Sequence, residues 1–168
     1  MKVLETPRLR LDRLAPEDAA FILTLLNDPA WIRYIGDRGV RTEEAARDYI
    51  VNVPMAMYAR DGFGLWKASL RDTAEPVGMA GLIKRPTLPD VDLGFALLPG
   101  HRGHGYALEA SAACVQHARE ALGLRRIVAI VSPDNADSVR LLRTLGFVYE
   151  RTFEMSPGDP VDLHAMAL

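Results

Sequence analysis

The stretch from Val91 to Leu108, VDLGFALLPGHRGHGYAL, constrains this chain more than any other part of it. Leu93 to Leu98 is a mostly apolar run, long enough for a buried strand. Pro99 and Gly100 then turn the chain, and Arg102-Gly103-His104-Gly105-Tyr106-Ala107 runs directly into the helix formers Leu108, Glu109 and Ala110. A strand, a glycine loop and a helix in that order present free backbone N–H groups and a helix N-terminus to an anion. Gly103 and Gly105 lack a Cβ, so an oxygen can approach the main chain closely and positive φ is open to both. The pattern predicts a phosphate or pyrophosphate ligand.

Residue identities exclude two common phosphate loops. A P-loop requires Lys and then Ser or Thr directly after its second glycine, and no such lysine is present. A dinucleotide loop requires a third small residue three positions after the second glycine and an acid about twenty residues further on. Those positions hold Leu108 and the pair Arg125-Arg126. What remains is Arg-x-x-Gly-x-Ala, from Arg102 to Ala107.

A length of 168 residues suits one domain, 1–168, with a sizeable core. A net charge of −2 leaves no basic footprint for nucleic acid. The opening MKVLETPRLR lacks the apolar centre of a signal peptide, and no apolar run reaches membrane-spanning length. The cytoplasm is therefore the expected location, with neither nucleic acid nor a membrane as partner. Cys114 is the only cysteine, which rules out an internal disulfide. Its alanine-rich helix predicts a buried, inert thiol.

Leu9 to Leu14 alternates with period two and reads as a half-exposed strand. Pro16-Glu17-Asp18 starts a helix whose Phe21, Ile22, Leu25 and Leu26 share one face, and Asn27-Asp28-Pro29 ends it. Residues 30–40 read as irregular. Thr42 caps a helix expected to run to about Tyr58 in spite of Pro54. Residues 64–70 and 77–84 are strand-like and, with 91–98, suggest an antiparallel meander. The helix after the glycine loop stops at Gly123, and 126–131 is an apolar strand. This βαβ unit makes strands 91–98 and 126–131 parallel. Asn135 is an N-cap for a short helix that ends at Gly146 and turns Val139, Leu142 and Leu145 inward; 147–155 and 161–168 close the fold as a hairpin. The predicted class is α/β (α+β): a mixed, mostly antiparallel sheet with a central parallel strand pair, in the order β-α-α-β-β-β-α-β-α-β-β.

The hexapeptide Arg102 to Ala107 resembles the pyrophosphate loop of the GNAT acetyltransferase superfamily, Gln/Arg-x-x-Gly-x-Gly/Ala. The run from Asn135 to Phe147, NADSVRLLRTLGF, is similar to that superfamily's second signature, Asn-x-x-Ser-x-x-Leu-x-x-x-Leu-Gly-Phe. The opening Glu5-Thr6-Pro7-Arg8-Leu9-Arg10-Leu11, with Glu17-Asp18 and Asn27-Asp28-Pro29, is similar to the branch of Rim-type ribosomal-protein N-terminal acetyltransferases. Asp92-Leu93-Gly94-Phe95 resembles an acid-apolar-Gly-aromatic stretch of the same branch.

The resemblance implies transfer of an acetyl group from acetyl-CoA to a primary amine, with acetyl-CoA as co-substrate and no metal. The acceptor is a protein N-terminus or a small-molecule amine, and the assembly a monomer or homodimer. In the family the amides of Arg102, Gly103, His104, Gly105, Tyr106 and Ala107 hold the pyrophosphate. The strand edge Phe95, Ala96, Leu97 and Leu98 pairs with the pantetheine arm. Arg102 is either a further phosphate contact or a solvated loop cation. Asn135 matches a residue that contacts the cofactor arm and also serves as a helix cap. Many members donate to the leaving sulfur from a tyrosine whose position here is Leu142. Ser138 is the replacement donor suggested by the Rim branch, and Asp92 the candidate base, its other readings being a solvated strand end or a structural ion pair. The acceptor pocket is expected from 30–40, the helix from Thr42 and 84–90, with Trp31, Tyr34 and Trp66 as lining. An acyl-CoA-binding module without turnover is the alternative, motivated by Leu142.

Overall fold

In the computed structural model, which describes residues 1–168, the alternating segment Leu9–Arg13 forms a strand, β2, with Leu9 and Leu11 buried and Arg10 exposed. The strands around it are β1 (Lys2–Glu5), β3 (Leu65–Leu70), β4 (Pro76–Ile83), β5 (Asp92–Leu97), β6 (Arg126–Val131), β7 (Val148–Ser156) and β8 (Asp159–Ala167). They join into one sheet in the order β1-β2-β3-β4-β5-β6-β8-β7. Every neighbouring pair is antiparallel except β5 and β6. The helices are α1 (Ala19–Leu26), α2 (Pro29–Tyr34), α3 (Glu43–Asn52), α4 (Pro54–Asp61), α5 (Tyr106–Glu120) and α6 (Ala136–Leu145).

Both faces of the sheet are covered. Trp66, Ala80, Leu82 and Leu93 pack with Ala110, Cys114 and Leu142 of α5 and α6 in the main core. Met79 points to the other face, into a second cluster with Ile22, Leu25, Ala46 and Ile50 of α1 and α3. A strand buried on both faces reads as a continuous apolar run. From Val77 to Ile83, β4 is buried at every position.

Three expectations need correction. Lys2–Glu5 forms an edge strand, pairing Leu4 with Leu11, where the alternation alone begins at Leu9. Four residues are too few to show a period. Pro29 opens α2 rather than merely ending α1, because a proline at the first helical position gives up no hydrogen bond. The helix from Thr42, capped as expected through Ala45 N–H to its Oγ1 at 3.1 Å, breaks at Val53. Proline disfavours helical backbone in the residue before it, and Val53 sits at φ −115°, ψ −82° while Pro54 starts α4.

Two glycines allow the central strands to approach. A Cβ on Gly78 would lie 2.1 Å from the Ala96 carbonyl oxygen, and one on Gly81 2.1 Å from that of Gly64. Both obstacles are backbone of an adjoining segment, so relief requires the sheet to part. Gly81→Ala is expected to lower unfolding free energy by about 1–3 kcal/mol, the range for overpacking. Gly100→Ala, whose Cβ meets nothing within 4 Å, should stay within about 0.5 kcal/mol. Urea denaturation of both variants measures the difference.

Candidate active site

The parallel pair of the sheet is nearly unmade. β5 and β6 register only at Asp92 and Val128, where the Val128 N–H donates to the Val91 carbonyl at 3.0 Å. Beyond that point the strands part. β4 holds one edge of β5 from Asp92 to Leu97, and the other edge opens onto a cleft of about 1210 Å³. Phe95, Ala96 and Leu97 line one wall, and Ala129, Ile130 and Val131 of β6 the other. Unpaired strand groups facing a cleft are available to a ligand that can add to the sheet edge.

The glycine loop closes one end. Gly103 and Gly105 both adopt φ +81°, and α5 begins at Tyr106. The first helical donor is Glu109 N–H, to Gly105 O at 3.1 Å. The amides of Gly103, His104, Gly105, Tyr106, Ala107 and Leu108 have no acceptor within the protein. Such a run at a helix N-terminus carries concentrated partial positive charge. Gly103, Gly105, Tyr106 and Ala107 line the cleft, whereas His104 and Leu98 are not among its lining residues. The His104 carbonyl is held from behind by Arg8 Nη1 at 2.8 Å, and Leu98 donates its N–H to Val77 O and packs against the second core.

Arg102 lines the cleft, and its part-exposed guanidinium is paired on one nitrogen. Its Nη2 donates to Asp28 Oδ2 at 2.5 Å and to Leu97 O at 2.9 Å. Asp28 is buried at the start of α2, so its carboxylate requires a cation, and Arg102 satisfies it. The guanidinium thus braces the cleft wall between α2 and β5.

Asn135 caps α6 through Oδ1, which accepts the Ser138 N–H at 3.3 Å, leaving its Nδ2 free for the cleft. Ser138 lies on the cleft wall in the first turn of α6, one turn before the buried Leu142. Asp92 lies where β5 and β6 begin to part. It is 1% exposed, and Arg85 Nε donates to its Oδ2 at 2.7 Å. Burial pushes the Asp92 carboxyl above its ordinary pKa, and Arg85 opposes this without cancelling it.

Trp31 and Tyr34 line the cleft, together with Tyr49, Arg38 and Arg85. Burial raises the Tyr49 hydroxyl pKa, and Arg38 opposes it. Trp66 is not lining: it is 1% exposed in the main core, edge-on to His117 at 5.5 Å. Burial also raises the Cys114 thiol, so no nucleophilic thiolate is present there. Arg85 and Tyr49 were not singled out by sequence; a basic residue seven before Asp92 is a weak signal without the loop geometry that joins them. Thr6 and Arg8 stand in the opening ETPRLRL, and Glu109 sits in the first turn after the glycines.

Removing Arg85 would strand a buried carboxylate. Arg85→Met is expected to cost about 3 kcal/mol at pH 8, the lower end for breaking a buried pair. A carboxyl whose pKa is higher in the folded than in the unfolded chain weakens the fold as pH rises from the unfolded value through the folded one. Without Arg85 that folded value moves further up, so the deficit should shrink at pH 5, where Asp92 takes a proton. Denaturant titrations at the two pH values check this, and an equal deficit at both would show that Asp92 is not the stranded group.

The architecture is that of known acetyltransferases. The acetyltransferase from Agrobacterium tumefaciens str. C58 superposes with a TM-score of 0.81 at 26% identity, over 99% of this chain and 94% of that one. The structure described as RimL, ribosomal L7/L12 alpha-N-protein acetyltransferase in complex with coenzyme A, has a TM-score of 0.82 over 100% and 98% of the two chains; at 18% identity the likeness is one of fold. The uncharacterized N-acetyltransferase YoaA of Bacillus subtilis (strain 168) is 31% identical, over 99% of this chain and 96% of its own length. The model of the acetyltransferase (GNAT) domain matches residues 8–148, and the chain is thereby a member of the GNAT acetyltransferase family, an acetyl-CoA-dependent acetyltransferase.

Proposed function

We propose that the protein is an N-acetyltransferase that moves acetyl from acetyl-CoA to a primary amine by direct attack within a ternary complex. The observation that carries this reading is the run of acceptor-free amides from Gly103 to Leu108, whose residues other than His104 line the cleft beside the unpaired edge of β5. Its donors fit a pyrophosphate, and the strand edge fits an amide-bearing arm such as pantetheine. Acetyl-CoA supplies a thioester whose carbonyl carbon accepts the amine.

In this reading the acceptor nitrogen loses its proton at the inner end of the cleft. Asp92 is the base, since burial makes its carboxylate hold a proton more tightly than an ordinary one. The neutral nitrogen adds to the acetyl carbonyl carbon, the oxyanion so formed re-forms the carbonyl as the carbon–sulfur bond breaks, and the proton left on the nitrogen passes to the departing thiolate. Backbone N–H groups on the free edge of β5 stabilise the oxyanion. The electron pair leaves with sulfur, to which the Ser138 hydroxyl donates in place of the missing tyrosine. Two features of this chain support kinship with the Rim branch, the opening ETPRLRL and the stretch DLGF. A peptide N-terminus and a small primary amine are the acceptor classes of this reading.

Free coenzyme A thiol, released from acetyl-CoA in the presence of a panel of amines and short peptides, tests turnover. Amine-dependent release is expected; binding of acetyl-CoA with no release from any acceptor favours the alternative, a binding module without turnover. Gly105→Val should abolish the acetyl-CoA-induced rise in melting temperature, because a β-branched residue at φ +81° cannot keep the loop conformation. An undiminished rise would overturn the loop assignment. With an acceptor in hand, Ser138→Ala is expected to lower kcat roughly tenfold to a thousandfold, the range for one lost transition-state donor or acid group. KM for acetyl-CoA should change little, because the donor acts as charge develops. An unchanged kcat would leave Ser138 as a helix-start residue only.

A further inference from the structure

Arg8 and Thr6 lie outside the cleft, yet they make most of the polar contacts to the back of the glycine loop and its helix. Glu109, in the first turn of α5, accepts from both. Its Oε1 takes Arg8 Nε at 2.7 Å; its Oε2 takes the Arg8 backbone N–H at 3.0 Å and the Thr6 hydroxyl. Arg8 Nη1 continues to the His104 carbonyl at 2.8 Å. The same guanidinium lies 4.6 Å from the ring centroid of Tyr106. Its Nη2 is 3.3 Å from the place a Cβ on Gly105 would take.

We propose that Thr6, Arg8 and Glu109 form a clamp that sets the phosphate-binding loop from behind. They are positioning residues that control affinity for the pyrophosphate part of the donor without touching it. The inference rests on the reading of the loop given under Proposed function.

Peptide geometry supplies the reason. A trans peptide is planar, and its C=O and N–H point in opposite directions. The His104 carbonyl and the Gly105 N–H belong to one such unit. Drawing the carbonyl back onto Arg8 turns the Gly105 N–H forward, to the side where the cleft lies. Two left-handed glycines within three residues give the loop many other conformations. Fixing this plane before the ligand arrives spares the ordering cost on binding.

Charge supplies a second reason. A bare carboxylate at position 109 would repel a phosphate at the same helix end. Arg8 neutralises it, and hydrogen bonds from Thr6 and Arg8 hold its pKa below the ordinary value although burial alone would raise it. The turn that carries the clamp is itself fixed. Leu9 N–H donates to Thr6 Oγ1 at 2.9 Å, Thr6 N–H to Leu9 O at 2.9 Å, and Arg71 Nη1 to Thr6 O at 3.0 Å.

Calorimetric titration with two donors tests the clamp: acetyl-CoA, and S-acetylpantetheine, which has no pyrophosphate. Wild type should bind acetyl-CoA at least tenfold more tightly. Arg8→Met is expected to raise Kd for acetyl-CoA about tenfold to a hundredfold, as happens when the outer partners of a binding group are removed. Its Kd for S-acetylpantetheine should stay within twofold of wild type. Thr6→Val should show the same split to a smaller degree, and Thr6→Ser, which keeps the hydroxyl, should restore wild-type values. Equal weakening for both donors would mean general loosening and overturn the clamp, as would unchanged acetyl-CoA affinity in Arg8→Met. If Arg8→Met does not fold, the Thr6 pair decides by the same criteria. A wild type that binds both donors alike would instead overturn the loop reading itself.

Discussion

The parting of β5 from β6 is the constraint on which the cleft depends. Strands joined by a crossover helix normally pair along their length, and here they register at one position, Asp92 with Val128. The cost is a row of backbone groups left without sheet partners on both strands. The fold contains that cost by anchoring the far edge of each strand. β5 is bonded to β4 from Asp92 to Leu97, and β6 to β8 from Arg126 to Val131. The two halves of the sheet are therefore rigid by themselves, and the gap between them is held open rather than collapsed.

Arginine–carboxylate pairs hold the edges of that gap. Arg102 with Asp28 ties the end of β5 to α2, and Arg85 with Asp92 ties the loop after β4 to the fork. In each pair the carboxylate is the buried member and the arginine the more exposed one. A buried acid without such a partner would take up a proton or unfold its surroundings. These pairs locate the irregular segments around the cleft while leaving the apolar walls to β5, β6 and α6.

Much of the fold was legible because its elements announce themselves locally. Glycines at 123 and 146 stop helices, Thr42 and Asn135 start them, and Leu9 to Arg13 alternates. The glycine loop was legible for the same reason, since left-handed backbone at Gly103 and Gly105 demands residues without a Cβ. The illegible parts depend on partners far along the chain. Nothing near Arg102 indicates that Asp28 will meet it, and nothing near Trp66 separates a core tryptophan from a cleft one. The pairing of Thr6 and Arg8 with Glu109 spans about a hundred residues, and its members are ordinary surface types taken singly. The short strand Lys2–Glu5 and the six-residue α2 fell below the length at which a period can be counted.

The loop from Gly103 to Leu108 offers main-chain hydrogens, and the neighbouring wall is a strand edge. Such a surface is written in conformation rather than in side-chain chemistry. His104 and Tyr106 can be exchanged for other residues while the amides beside them keep their direction. Side chains that line the cleft elsewhere, among them Trp31, Tyr34, Arg38 and Tyr49, have no such shelter, and each exchange there alters the shape and charge that an incoming molecule meets. A chain built this way can drift in its side-chain walls and acquire new preferences there, while the main-chain wall keeps one chemical appetite through extensive sequence change.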